Sequence, residues 1–274
     1  MATLKGNGKR LRMLYQVKDW DDAYANAAHI PGGNDYPAKW EAAAAAFRQT
    51  ARQEKIDGGD LFLPENTAKG LAVFIHGGFW MKTGPATWSH LAAGPVARGW
   101  AVLMPGYTLA PGARIAQMTR QVASVISDAA GRIAGPVALT GHSAGGHLAA
   151  RMICDDATLP NGVASRISAC VPISPLADLR AMMRTAMNDV LAIDMAEARS
   201  ESPALLAPRP DIPVTTWVGG AERPEFLRQA RLLADIWAGL GAATDCVIDP
   251  GRHHYDVIEA LTRPDSPLTC RLLG

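Results

Sequence analysis

No run of about eighteen apolar residues occurs in this 274-residue chain, which excludes a hydrophobic spanning helix of ordinary length. Residues 1–13 carry charge but lead into no apolar stretch, so they do not read as a secretory signal, and the expectation is a soluble, cytoplasmic protein. Charge of one sign is also missing. The 27 Lys and Arg residues against 26 Asp and Glu leave a formal +1, giving no electrostatic reason to invoke nucleic acid or an anionic membrane. Cysteine is scarce: Cys154, Cys170, Cys246 and Cys270 show neither C-x-x-C spacing nor a disulfide-scaffold density. They read as mostly buried free thiols of a reducing compartment. No G-x-x-x-x-G-K-[ST] or G-x-G-x-x-G phosphate cradle is present.

What is present is ordinary globular material, 48% hydrophobic and 19% charged, at a length that one large α/β domain can reach. The first 55 residues read as helix and loop, with helices over 19–28 and 38–52 separated by Pro31-Gly32-Gly33-Asn34. Residues 56–63 suit one peripheral strand ending at Pro64. Residues 71–76, LAVFIH, form a continuous apolar run of the kind buried on both faces of a parallel sheet. Strand and helix then alternate: helix 87–98, strand 101–104, helix 115–133, strand 137–140, strand 167–173, strand 214–218, helix 224–240, strand 244–248 and a final helix over 255–261. That alternation predicts a mostly parallel central sheet with right-handed crossovers and helices on both faces. Residues 175–210 break the alternation with Met- and Ala-rich pieces closed by Pro203, Pro208 and Pro210, and are expected to form a small cap insertion over the site.

The pattern centres on VALTGHSAGGHLAA, residues 137–150. Gly141-His142-Ser143-Ala144-Gly145 lies between a short apolar strand and a small-residue helix, the setting that a G-x-S-x-G nucleophile elbow requires. Ser143 would stand on a strained turn, with glycines keeping side chains out of the strand-to-helix gap and the positive end of the helix beneath it. His142 should point away from the serine hydroxyl, and His147 should pack one turn into the helix.

Acyl transfer at such a serine needs a base, an acid that orients it, and donors for the oxyanion, arriving from strand ends in the order Ser, acid, His. Glu222 follows strand 214–218 and is the chosen acid, with Glu225 a rival one turn into the next helix. After strand 244–248 come His253 and His254. A metal pair there lacks a third ligand at suitable spacing, so no metal or organic cofactor is expected. His29 and His90 read as ordinary polar residues. Oxyanion donors should come from His76-Gly77-Gly78-Phe79-Trp80 and from the amide after the nucleophile. Trp80 and Trp88, near that loop, offer an aromatic wall to a substrate.

HGGFW at 76–80, GHSAGGHLAA at 141–150 and ERPEF at 222–226 together resemble the α/β-hydrolase esterases of the kynurenine formamidase (arylformamidase) group. SPLADL from Ser174 and Ser202-Pro203 are similar to that group's cap region, and DDAYAN at 21–26 to its leading segment, so the likeness covers most of the chain. The resemblance implies an α/β-hydrolase fold and an oxyanion hole of Gly78 and Phe79 joined by Ala144. It also implies that His254 is the base, since His254-Tyr255-Asp256 matches the group's H-aromatic-D segment. The group's acid is usually aspartate, and Glu222 departs from it by one methylene.

The reading is a serine hydrolase that opens a small ester or N-formyl aryl amide through Ser143, His254 and Glu222. Its alternatives are an acyltransferase or a silent α/β-hydrolase-fold protein that binds a small ligand. Substrate identity and oligomeric state lie outside these motifs, because specificity resides in cap and loops. A fluorophosphonate probe is expected to label the protein at Ser143 alone; labelling that survives in Ser143→Ala, read by mass spectrometry, would remove the serine from the mechanism.

Overall fold

The computed structural model describes residues 16–274, so the first fifteen residues of the N-terminal segment lie outside the described part. Eight strands form one sheet: β1 Gln53–Ile56, β2 Gly59–Phe62, β3 Leu71–Ile75, β4 Ala101–Pro105, β5 Val137–His142, β6 Ile167–Ile173, β7 Val214–Gly219 and β8 Thr244–Asp249. Their spatial order is β1-β2-β4-β3-β5-β6-β7-β8. β1 pairs antiparallel with β2 and β2 with β4, while every pairing from β4 through β3 to β8 is parallel.

The order reverses at β3. From it the chain goes to β4 on one side and then to β5 on the other, so the loops after β3 and β5 diverge and leave a crevice at the carboxyl ends of the strands. Strand β3 shows why both faces must be covered. Leu71, Val73 and Ile75 join one apolar cluster with the inner face of helix Ile115–Arg132, whereas Ala72 and Phe74 join the other with Trp88 and the C-terminal helix Pro267–Leu273.

The structure differs from the pattern reading at the sheet's rim. Residues 56–63 are not one strand: Asp57-Gly58 is a two-residue hairpin turn, with Ile56 opposite Gly59. Asp-Gly is a turn signal that the weak alternation around it obscured. Residues 87–98 are mostly 3-10, Pro85–Ala92, with one α turn at Ala93–Ala97. The first helix shortens to Trp20–Tyr24, followed by a 3-10 turn Ala27–His29. The helix expected over 255–261 is a 3-10 segment Val257–Thr262. Beyond it lies a further C-terminal helix, Pro267–Leu273, capped by Ser266, where the hydrophobic pattern predicts none. All four cysteines are free, but only Cys154 and Cys170 are buried, Cys246 being half-buried and Cys270 exposed. Among the described residues no helix is long and apolar enough to cross a membrane.

Among the described glycines Gly145, at the start of helix Ala144–Arg151, leaves the least room: a Cβ there would overlap the Ile75 carbonyl oxygen of β3. Gly145→Ala is therefore expected to lower unfolding free energy by at least about 3 kcal/mol, the upper range for forcing atoms into a packed interior. Urea denaturation checks this, and a loss below half a kcal/mol would show that the helix can move away from β3.

Candidate active site

Ser143 sits between β5 and helix Ala144–Arg151 at φ 56°, ψ −114°. A side-chain-bearing residue adopts that backbone only under constraint from its surroundings. The constraint is visible: Ser143 N–H donates to the Ile173 carbonyl of β6 at 2.8 Å, and its own carbonyl accepts the first bond of the helix from His147 at 3.0 Å. The serine is thereby fixed to the sheet on one side and the helix on the other.

Glu222 lies in the turn after β7 and is buried. Its Oε1 accepts from Ser174 Oγ at 2.6 Å and from Gly219 N–H at 2.8 Å, leaving Oε2 to contact His254 Nδ1 at 2.6 Å. The His254 ring is held between Phe226 at 4.2 Å and His142 at 4.4 Å, centroid to centroid. His254, Ser143 and His142 line the same cavity of about 290 Å³. Among the described residues no direct hydrogen bond joins Ser143 Oγ to His254. His142 thus faces the site with its neighbours instead of turning away, and burial, with His254 beside it, holds its pKa well below the usual histidine range.

The loop after β3 is built to present backbone donors. His76 stacks on Tyr107 at 4.3 Å, its Nδ1 lies 2.9 Å from the Gly77 carbonyl, and burial pushes its pKa to about 4, which keeps it neutral. Thr83 Oγ1 also donates to the Gly77 carbonyl, at 3.0 Å, and Trp88 Nε1 donates to Thr83 Oγ1 at 3.2 Å. Gly78 has φ 103°, and a Cβ there would meet the Lys82 carbonyl oxygen at 2.3 Å, so only glycine fits this turn. Among the described residues nothing accepts a hydrogen bond from the N–H groups of Gly78, Phe79 or Ala144. Three unpaired donors beside a buried serine are what an oxyanion hole needs.

A family model described as the alpha/beta hydrolase fold matches residues 72–255. The kynurenine formamidase of Danio rerio is 30% identical over 236 residues, covering 81% of this chain and 78% of that protein. The chain is an arylformamidase-like α/β-hydrolase. The kynurenine formamidase of Salmo salar is 28% identical over 229 residues, covering 78% of this chain and 76% of its own. A crystal structure of a Silicibacter protein, provisionally described as a thioesterase, superposes with a TM-score of 0.87 at 47% identity, covering 93% of this chain and 98% of that one. The chain is accordingly a hydrolase.

Several residues weighed from the sequence take other places in this α/β-hydrolase. Glu225, the rival acid, is engaged by Tyr24 Oη at 2.8 Å, Arg228 at 2.6 Å and Gln229 at 3.1 Å, facing away from the histidine. His253 contacts Tyr36 Oη through Nε2 at 3.1 Å. Asp256 begins the last 3-10 segment but caps none of its amides, accepting instead from His253 N–H at 2.7 Å. Trp88 does line the cavity; Trp80 does not, being wholly buried with its ring edge-to-face on His147 at 5.2 Å. Its indole is core because the loop turns at Phe79 and Trp80, both at positive φ, and carries it inward. His90 is buried. His147 packs as expected, its Nε2 2.6 Å from the Glu201 carbonyl.

The expected cap is also elsewhere. No residue of 175–210 lines the cavity; its wall comes instead from the N-terminal segment, with Asn26, Asn34, Pro37 and Trp40, and from Tyr255. The insertion is tied to the sheet's flank: Glu197 pairs with Arg114 at 2.6 Å, and Glu201 accepts from Thr119 at 2.7 Å and Arg151 at 3.1 Å. Ser174, which supports Glu222, carries in the sequence only a likeness to the cap region, and its position at the end of β6 is the signal that it borders the strand-end crevice. Among the described residues no three His, Cys, Asp or Glu side chains gather as a metal site.

Proposed function

We propose that this hydrolase opens a small carboxylic ester or N-formyl aryl amide through a Ser143-His254-Glu222 triad and an acyl-enzyme. The observation that carries the reading is the 2.6 Å contact between Glu222 Oε2 and His254 Nδ1, buried in the wall of the cavity that Ser143 lines. With Nδ1–H given to Glu222, the Nε2 lone pair of His254 is left for the serine proton. The Ser143–His254 bond closes with substrate in place, as catalytic hydrogen bonds often tighten only in the Michaelis complex.

Ser143 Oγ attacks the acyl carbon while His254 takes its proton, and the oxyanion rests on the amides of Gly78, Phe79 and Ala144. The tetrahedral intermediate collapses as the imidazolium protonates the departing oxygen or nitrogen. Water, deprotonated by the same histidine, then releases the acid and restores the serine. Neutral His142 next to the ring does not oppose the developing imidazolium. Glu222 supplies the compensating charge, and its second oxygen is steadied by Ser174 and Gly219. No metal or organic cofactor enters these steps.

Phe79, Trp40, Trp88 and Tyr255 border the cavity, which supports an aryl group on the substrate. The relatives in Danio rerio and Salmo salar carry the name kynurenine formamidase, which supports the formyl amide. The Silicibacter protein's description keeps a thioester, opened by the same attack, as the second reading.

Glu222→Gln and His254→Ala are each expected to lower kcat by about 10⁴, the usual cost of removing a triad partner, with the fold intact by circular dichroism. His253→Ala, Asp256→Asn and Glu225→Gln should stay within about tenfold, since none touches the reacting groups. Collapse in Glu225→Gln with Glu222→Gln still active would transfer the acid role.

Substrate class is read from kcat/KM on three compounds. N-formylkynurenine is expected well above p-nitrophenyl acetate and above an acyl thioester. Turnover of the simple ester alone makes the protein an esterase, and a dominant thioester overturns the aryl amide.

A further inference from the structure

The two amides that the loop after β3 offers to an oxyanion are aimed through their own peptide planes. A peptide group is flat, its C=O and N–H pointing in opposite directions, so whatever grips one residue's carbonyl sets where the next residue's N–H points. The Gly78 carbonyl accepts from Met81 N–H and Lys82 N–H, each at 3.0 Å, which fixes the Phe79 N–H. The Gly77 carbonyl, which shares a peptide with the Gly78 N–H, is gripped by side chains instead. His76 Nδ1 lies 2.9 Å from it and Thr83 Oγ1 donates to it at 3.0 Å. Since a carbonyl can only accept, His76 Nδ1 carries the ring proton. Trp88 Nε1, which can only donate, reaches Thr83 Oγ1 at 3.2 Å and leaves the hydroxyl proton for Gly77.

The peptide between Gly77 and Gly78 has no side chain on either flank, so its orientation must be imposed from outside. Thr83 does this from an unfavourable conformation. It is a β-branched residue at φ 66°, a left-handed backbone that glycine adopts freely and threonine rarely. Thr83 is also exposed, so burial gives no reason for a threonine at that position. Strain of this kind persists where the side chain has a task at a neighbouring site. The task visible for this hydroxyl is its bond to Gly77.

We propose that Thr83 is a positioning residue of the oxyanion hole: its hydroxyl, oriented by Trp88, locks the Gly77–Gly78 peptide so that the Gly78 N–H points at the oxygen that takes the negative charge. This rests on the serine-hydrolase reading. Thr83 acts only through that amide, so its loss weakens binding of the transition state and leaves binding of the substrate as it was.

The test reads kcat and KM on p-nitrophenyl acetate, together with inhibition by 2,2,2-trifluoroacetophenone. That ketone mimics the intermediate: Ser143 Oγ adds to its carbonyl carbon, His254 takes the serine proton, the carbonyl oxygen becomes the oxyanion, and no group leaves. Thr83→Val keeps the shape and removes the hydroxyl. It is expected to lower kcat by about tenfold, part of the hundredfold or greater cost of a missing oxyanion donor, with KM within about twofold and the ketone weakened by the same factor as kcat. Thr83→Ser restores the hydroxyl and should recover most of the rate. Thr83→Gly loses the hydroxyl but relieves the backbone, so its rate should match that of Thr83→Val while its Tm stays at or above that of wild type, and it carries the test if the valine variant does not fold. A wild-type rate in either Thr83→Val or Thr83→Gly, a serine variant no better than valine, or unchanged inhibition by the ketone overturns the proposal. Turnover that persists in Ser143→Ala would instead overturn the serine reading, so the two failures are told apart.

Discussion

The site depends on how closely the elbow helix approaches the end of β3. A Cβ at Gly145 would meet the Ile75 carbonyl oxygen at 1.9 Å, so helix Ala144–Arg151 can lie against β3 only through glycine. That approach forces Ser143 to φ 56°, because the chain must reverse from β5 into the helix within one residue. It also sets the Ala144 amide beside the loop after β3, where Gly78 and Phe79 leave their N–H groups unpaired. The proposed nucleophile and the proposed donors thus follow neighbouring strands, β5 and β3, of one parallel sheet.

The proposed acid and base are organised by a different device, a division of labour between the oxygens of Glu222. Oε1 is saturated by Ser174 and Gly219, which commits Oε2 to His254. From the turn after β7, Glu222 engages both oxygens, with Ser174 after β6, Gly219 at the end of β7 and His254 beyond β8. Glu225, three residues on, is equally buried but belongs to the network of Tyr24, Arg228 and Gln229 that fastens the N-terminal segment to the sheet. One turn of chain thus gives one carboxylate to the proposed triad and the next to fastening the segment that roofs the cavity.

The insertion and the N-terminal segment exchange the roles that chain order suggested. Residues 175–210 interrupt the strand–helix alternation, the mark of a cap, but Glu197 and Glu201 spend their charge on Arg114, Thr119 and Arg151 at the flank. Roofing falls to residues around Asn26, Asn34 and Trp40, which precede the sheet in the chain and return across its carboxyl edge. Nothing in hydrophobic period announces such a return, since it is held by side-chain bonds between residues about two hundred positions apart.

By itself the sequence determined what a few consecutive residues can dictate: the apolar runs of β3 to β7, the elbow at Gly141–Gly145, the glycine pair after β3, and from these the parallel sheet and the α/β-hydrolase family. Those features are local because backbone sterics and strand burial act over a handful of residues. The hairpin at Asp57-Gly58 was equally local and was hidden only by weak alternation. Tertiary structure alone decided that Ser174 supports Glu222, that Trp80 is core while Trp88 borders the cavity, and that His142 packs on the His254 ring. Each is a matter of which side chain is buried against which, and burial partners far apart in the chain are chosen by the packing of the whole sheet, not by their spacing.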